Sequence, residues 1–182
     1  MKKILLPLIC LLLFATCKKE EEEIIPSITY PIFEGYILRN DIGDLIGIQN
    51  NDTTDWKLDN SNWLDVEKNL FTNYDNLVHN YNSGIEFNLF QYPNPITVQN
   101  TNEFFGLNVF EPDSTISLEL RFINQQFTKL KSVSLNIISP LDGINFKLDS
   151  TKTSGNELIR AYYMFTRNDT CFNKGFGYIM FE

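Results

Sequence analysis

Ile116-Ser117-Leu118-Glu119-Leu120-Arg121-Phe122 alternates apolar and polar residues without a break. Successive side chains of a strand point to opposite faces, so this stretch presents four apolar groups to a core and three polar ones to water. The same period of two recurs on either side. Val133, Leu135 and Ile137 alternate with Ser132, Ser134 and Asn136; Ile144, Phe146 and Leu148 repeat it, as do Phe105, Leu107 and Val109, and Ile85, Phe87 and Leu89. Turn-forming groups separate these runs: Asn40-Asp41-Ile42-Gly43, Tyr92-Pro93-Asn94-Pro95, Glu111-Pro112-Asp113, Pro140-Leu141-Asp142-Gly143 and Ser154-Gly155-Asn156. Short alternating strands at this spacing predict an all-β protein, an antiparallel Ig-like β-sandwich, each strand with one buried and one wet face. No long helical segments alternate with the strands, which argues against a parallel nucleotide-binding sheet.

Composition agrees. The 182 residues hold two alanines, Ala15 and Ala161, against 15 phenylalanines, which favours strands over long helices. That length buries the core of one domain with a tail. One segment breaks the period: in Asn62 to Phe71, Trp63, Val66 and Leu70 fall three and four apart. A short helix is expected over residues 62–71, capped by Ser61 or Asn62, with Asp65 near its positive end, lying over one mouth of the sandwich.

The N-terminus carries a different message. Lys2 and Lys3 precede Ile4 to Ala15, an apolar run shorter than the ~20 residues a membrane-spanning helix needs. Residues 1–16 read as a secretory signal. The run ends Leu13-Phe14-Ala15-Thr16-Cys17, which resembles a lipobox, and the resemblance implies cleavage before Cys17 and its acylation with a diacylglycerol and an N-acyl chain. Three acyl chains at ~0.8 kcal/mol per buried methylene hold a protein on a membrane. The charged run Lys18-Lys19-Glu20-Glu21-Glu22-Glu23 repels itself and forms an extended tether over residues 17–31. A lysine followed by acids just after such a cysteine is similar to the export signal of Bacteroidota surface lipoproteins. That implies an outer-membrane protein facing outward. The folded domain then occupies residues 32–182, with a hairpin and helix subregion at 32–84.

A second resemblance covers most of residues 33–182. Gly35-Tyr36, Asp55-Trp56, Glu67-Lys68-Asn69-Leu70-Phe71, Tyr92-Pro93-Asn94-Pro95, Arg160-Ala161-Tyr162-Tyr163 and Lys174-Gly175-Phe176-Gly177-Tyr178-Ile179 follow in order. This order is similar to small Bacteroidota lipoproteins whose C-terminal half resembles the Ig-like sandwich of flagellar hook-assembly proteins and type nine secretion sorting domains. Sorting domains usually end in a basic tail, whereas this chain ends Gly177-Tyr178-Ile179-Met180-Phe181-Glu182. The resemblance implies a structural role and brings no catalytic residue with it.

Chemistry is sparse in the remaining residues. A net charge of −8 leaves no basic surface for nucleic acid. The single histidine, His79, cannot build a multi-histidine zinc or iron site, and no cofactor motif is present. Asp75, His79 and Ser83 stand four apart without a Gly-x-Ser-x-Gly elbow, so His79 reads as a solvent-facing loop residue. Cys171 follows Asn168-Asp169, a poor setting for a reactive thiol, and reads as a half-buried structural cysteine. Asn50 to Asp55 and Asp59-Asn60-Ser61 are rich in the hard oxygen ligands calcium prefers, but lack the EF-hand glycine and terminal glutamate. Trp56 and Trp63 lie in polar, Asn-rich stretches, where they either cap the core or stack on sugar rings. Asp52-Thr53-Thr54, Asp113-Ser114-Thr115 and Asp149-Ser150-Thr151 resemble the O-glycosylation acceptor of Bacteroidota, which makes Thr53, Ser114 and Ser150 candidate sites. The resulting expectation is a non-enzymatic, surface-exposed outer-membrane lipoprotein acting as a structural or interaction module. The second expectation is a glycan-binding accessory lipoprotein.

Overall fold

The computed structural model describes residues 29–50, 56–82, 87–96, 103–109, 115–137, 144–146 and 156–182. The expected strands form. In chain order they are β1 (Ile37–Arg39), β2 (Leu45–Ile48), β3 (Lys57–Leu58), β4 (Val78–His79), β5 (Phe87–Tyr92), β6 (Glu103–Val109), β7 (Ile116–Ile123), β8 (Lys129–Ile137), β9 (Ile144–Phe146), β10 (Glu157–Arg167) and β11 (Thr170–Phe181). The protein is an antiparallel β-sandwich. Its main sheet runs β3-β11-β10-β7-β8, a smaller sheet runs β5-β6-β9, and β1 and β2 form a separate hairpin.

The β10–β11 hairpin is the spine of the main sheet. Asn168 and Asp169, the two residues joining the strands, both take positive φ (49° and 59°), the twist a two-residue hairpin requires. One face of the sheet carries Leu118, Leu120 and Phe122 of β7, Ile159, Tyr163 and Phe165 of β10 and Ile179 of β11 in a single buried cluster. Leu89 of β5 joins that cluster, which places the smaller sheet over this face. The register explains the alignment: Phe122 pairs with Ala161, Leu120 with Tyr163 and Leu118 with Phe165, so the apolar sets of adjacent strands fall on one side.

The other face departs from the expectation of a wet side. From Leu158 to Phe165 every residue of β10 is buried. Continuous burial means both faces are covered. The cover comes from residues 56–82. β3 pairs antiparallel with Gly175 and Phe176, while β4 pairs in parallel with Thr170 and Cys171, so both ends of this excursion dock on the same edge of β11. Between them the chain crosses the outer face, where Trp63, Phe71 and Tyr74 pack on Ile123, Tyr162, Met164 and Cys171.

The helix falls within the expected stretch but is shorter and differently built. α1 spans Asp65–Lys68, and its N-cap is Leu64 rather than Ser61 or Asn62. Leu64 has no side-chain oxygen to offer. The Glu67 carboxylate reaches back instead and accepts the Leu64 backbone N–H at 2.7 Å, one half of a capping box. The helix lies on the outer face of the main sheet, not over a mouth of the sandwich, and its buried residue is Glu67 rather than Val66.

The β1–β2 hairpin is tied on through one side chain. Asn94 donates to the carbonyls of Ile37 and Tyr178, both at 2.9 Å, and its Oδ1 accepts the Met180 N–H. Its backbone also exchanges two hydrogen bonds with Arg39. The Tyr92–Pro95 segment is therefore a clasp between hairpin and sheet as well as a turn.

Candidate functional site

The outer face holds a set of buried polar groups that the alternating pattern does not announce. Arg160, on β10, is 3% exposed. Its Nη1 donates to the Tyr162 hydroxyl at 2.9 Å, and Nη2 donates to the Tyr178 hydroxyl and the Ile32 carbonyl. The guanidinium also lies against the rings of Phe33, Phe176 and Tyr178, with carbon-to-centroid distances of 4.8, 4.5 and 4.9 Å. An arginine so enclosed is held by π faces and phenol oxygens before any carboxylate. Glu67 supplies the nearest one, at 3.9 Å from Nη1, and accepts the Tyr162 hydroxyl at 2.7 Å.

Lys174, on β11, is equally buried. Its ammonium donates to the Ser61 carbonyl at 2.7 Å and sits 4.2 Å from the centre of the Trp63 ring. Burial lowers its pKa, and the charge of Asp59 works against that shift. Asp59 accepts the Ser61 backbone N–H at 2.9 Å and the Trp63 indole N–H at 2.7 Å. Burial alone would push its carboxyl up; a hydrogen bond from the Ser61 hydroxyl, these two hydrogen bonds and Lys174 outweigh it and hold the group below the usual carboxylate range. Arg160 and Glu67 thus form an ion pair, Lys174 and Asp59 act on each other through their charges, and aromatic rings knit the four together.

Above them opens a cavity of about 280 Å³. Pro31, Ile32 and Glu34 form one wall, Asp59, Ser61 and Trp63 the opposite one, and Glu67, Arg160, Phe176 and Tyr178 the remainder. A second hollow of about 250 Å³ lies at the β3 edge between the sheets, against Trp56, Leu89, Tyr163 and Phe165.

Both tryptophans named from sequence are core residues, 8% and 3% exposed for Trp56 and Trp63. Trp56 stacks on Tyr163, and its ring lies so close to Gly177 that a Cβ there would stand 2.1 Å from it. Trp63 stacks on Phe71 and Tyr74 and meets Tyr162 edge-on. Neither offers an open face for a sugar, which corrects the stacking expectation. Cys171 is fully buried rather than half-buried. Burial pushes its thiol up to about 11, against the opposing charge of Lys174, so it is a poor nucleophile. His79 is exposed but lies in β4, not in a loop; its ring nitrogens meet the Tyr74 carbonyl and the Tyr81 hydroxyl, each at 3.1 Å. Ser83 of the spaced trio lies outside the described residues, as do Cys17, Lys18 to Glu23, Thr53, Ser114 and Ser150. Of the oxygen-rich stretch, Asn51 to Asp55 also lie outside them, and Asp59 accepts hydrogen bonds from Ser61 and Trp63. Among the described residues no group of three or more His, Cys, Asp or Glu is placed to hold a metal ion, and no helix is long and apolar enough to cross a membrane.

The residues missed from sequence are Arg160, Glu67 and Lys174. A signal for Arg160 exists: it stands inside Leu158-Ile159-Arg160-Ala161-Tyr162-Tyr163-Met164-Phe165, and a charge within so unbroken an apolar run is a buried charge.

No protein-family model and no curated protein matches the chain. Solved structures overlap part of it. A β-glucuronidase of Parabacteroides merdae covers 53% of the chain with 13% of its own, at 10% identity and a TM-score of 0.35. A β-glycosidase of Bacteroides vulgatus covers 57% with 13% of its own, at 12% identity and a TM-score of 0.36. A putative β-galactosidase of Bacteroides fragilis covers 52% with 15% of its own, at 12% identity and a TM-score of 0.32. The chain spans less than a sixth of the length of these proteins, and overlaps this loose carry no functional meaning.

Proposed function

We propose that this chain is a non-enzymatic lipoprotein of the outer membrane, anchored through Cys17 and displayed on the cell surface, whose β-sandwich serves as an interaction module. The observation that carries the module reading is the β1–β2 hairpin. Ile42 at its tip and Leu45, Ile46 and Ile48 on β2 are all exposed. Among the described residues β2 pairs with β1 alone, which leaves its other edge with unpaired backbone groups. Exposed edges are ordinarily protected by lysine, proline or a covering element, and β2 (Leu-Ile-Gly-Ile) carries neither residue. An open apolar edge is a site where a partner's strand adds itself. The Cys17 anchor is supported by the lipobox-like residues before it and the acidic run after it.

Replacing Cys17 with Ala and fractionating cells tests the anchor. The parent is expected in the outer-membrane fraction and the variant in the soluble one; a variant as membrane-bound as the parent removes the anchor from the reading.

A further inference from the structure

We infer that the outer-face cavity is a binding site for one neutral sugar ring. The inference is independent of the anchor and the hairpin, and uses neither tryptophan face. Size comes first. At about 280 Å³ the cavity lies just under the ~300 Å³ at which small-molecule sites begin, room for one six-membered ring and not for an oligomer.

The lining selects the chemistry. Glu34, Asp59 and Glu67 bring three carboxylates to the wall against Arg160 in the lining and Lys174 behind Trp63, and the net negative charge disfavours an anion. A cation is disfavoured for a different reason. The ring faces that would receive it are engaged by the protein's own cations, Phe176 and Tyr178 by Arg160 and Trp63 by Lys174. What remains suits a neutral compound with several hydroxyls. Glu67 and Asp59 are fixed acceptors: Glu67 takes two hydrogen bonds and Asp59 three, the Ser61 hydroxyl included, and a carboxylate accepts about four, so each keeps capacity for a ligand hydroxyl. Ser61 adds a hydroxyl, and the edges of Trp63 and Phe176 add apolar wall for the C–H face of a ring. On the Arg160 side the guanidinium is closed off by its own partners, the Tyr162 and Tyr178 hydroxyls and the Ile32 carbonyl, so the acceptors at the carboxylates carry the polar recognition.

The site is also built rather than incidental. The strap from Pro31 to Glu34 forms its outer wall only because the Ile32 carbonyl is held by Arg160 and Phe33 lies on Tyr178. The opposite wall is pinned because the Ser61 carbonyl is held by Lys174. Two buried cations thus fix two backbone segments on either side of one hollow, a preorganisation that lowers the cost of binding.

The test follows the indole N–H resonances of the full-length chain by NMR. Trp63 lines this cavity and Trp56 the other, so they report separately. D-glucose, D-galactose, D-mannose and N-acetyl-D-glucosamine are titrated in turn, with D-glucuronate and D-glucosamine as charged counterparts. At least one neutral sugar is expected to shift the Trp63 resonance saturably while Trp56 stays still. Ser61→Phe, which fills the cavity, keeps both backbone bonds of residue 61 and gives up its hydroxyl bond to Asp59, is expected to weaken that sugar at least tenfold in a chain that still unfolds cooperatively. Ile32→Trp, on an exposed position of the strap, gives the same reading should Ser61→Phe fail to fold. The inference is overturned if no neutral sugar produces a saturable shift, if the filled cavity binds as well as the parent, or if either charged sugar binds more tightly than every neutral one.

Discussion

Glu67 is the residue on which the outer face turns, because it does three things at once. Its two oxygens cap α1 and accept the Tyr162 hydroxyl, and its charge answers Arg160 across 3.9 Å. Removing one member of a buried pair leaves the other unpaired and costs ~3–5 kcal/mol. Glu67→Gln is therefore expected to lower the unfolding free energy by about 3 kcal/mol, read from urea midpoints. Adding Arg160→Met to it should recover part of that loss, by more than ~1 kcal/mol relative to the sum of the single changes. Strict additivity would show that the two charges do not sense each other. Asp59 makes a second prediction, in pH. Its folded carboxyl titrates below the ordinary value, so the unfolded chain takes up the proton first as acid is added, and stability rises with pH through this range. The contribution is complete above the ordinary carboxylate value and is lost as pH falls through the depressed one. Asp59→Asn should flatten that acid limb of the stability curve while leaving the neutral region parallel to the parent; an acid limb of unchanged slope rules Asp59 out as its source.

Among the elements, the β10–β11 hairpin depends on a turn whose two residues both sit at positive φ. A β-branched side chain in the left-handed region costs ~1–2 kcal/mol, while glycine is at ease there. Asp169→Val should destabilise by that amount, and Asp169→Gly should match or exceed the parent; urea unfolding with an unchanged m-value distinguishes a stability change from a change in the unfolded chain. A valine variant as stable as the parent would mean that the turn changes its type. This spine also shows what was legible beforehand. The period of two in Ile116 to Phe122 placed β7 and its buried face correctly, because that face is satisfied by neighbours of the same kind. No such period marks β10, where every residue from Leu158 to Phe165 is buried, Arg160, Tyr162 and Met164 included. They are buried because a segment more than ninety residues earlier, around Trp63 and Glu67, folds over them, and no local period records a cover so distant. The helix was visible from Trp63 and Leu70, yet its cap was not, since Glu67 reaches backward to a leucine that offers no oxygen.

For the molecule as a whole, the sandwich is covered on both sides of its main sheet, while its N-terminal hairpin stays open and its charge is one-sided. Fifteen basic residues face 23 acidic ones, and four of those acids stand together at Glu20, Glu21, Glu22 and Glu23, ahead of the folded part. The candidate site was only partly legible at this scale: Trp63 was flagged, but its polar neighbours come from the strap before β1, the segment after β3, α1, β10 and β11 and meet only in the fold. The acidic run, in contrast, is a local signal and can be tested as one. Were Cys17 the anchor, the fifteen residues from Cys17 to Pro31 could reach at most ~50 Å, which would keep the domain near the membrane whichever way the protein faced. Changing all four glutamates to alanine takes the formal charge from −8 to −4, still well on the acidic side, and touches none of the described residues. If the run directs outward display, the variant should remain in the outer-membrane fraction but become inaccessible to protease added to intact cells, while lysed cells still yield to it. Equal cleavage of parent and variant on intact cells would show that the glutamates do not direct outward display.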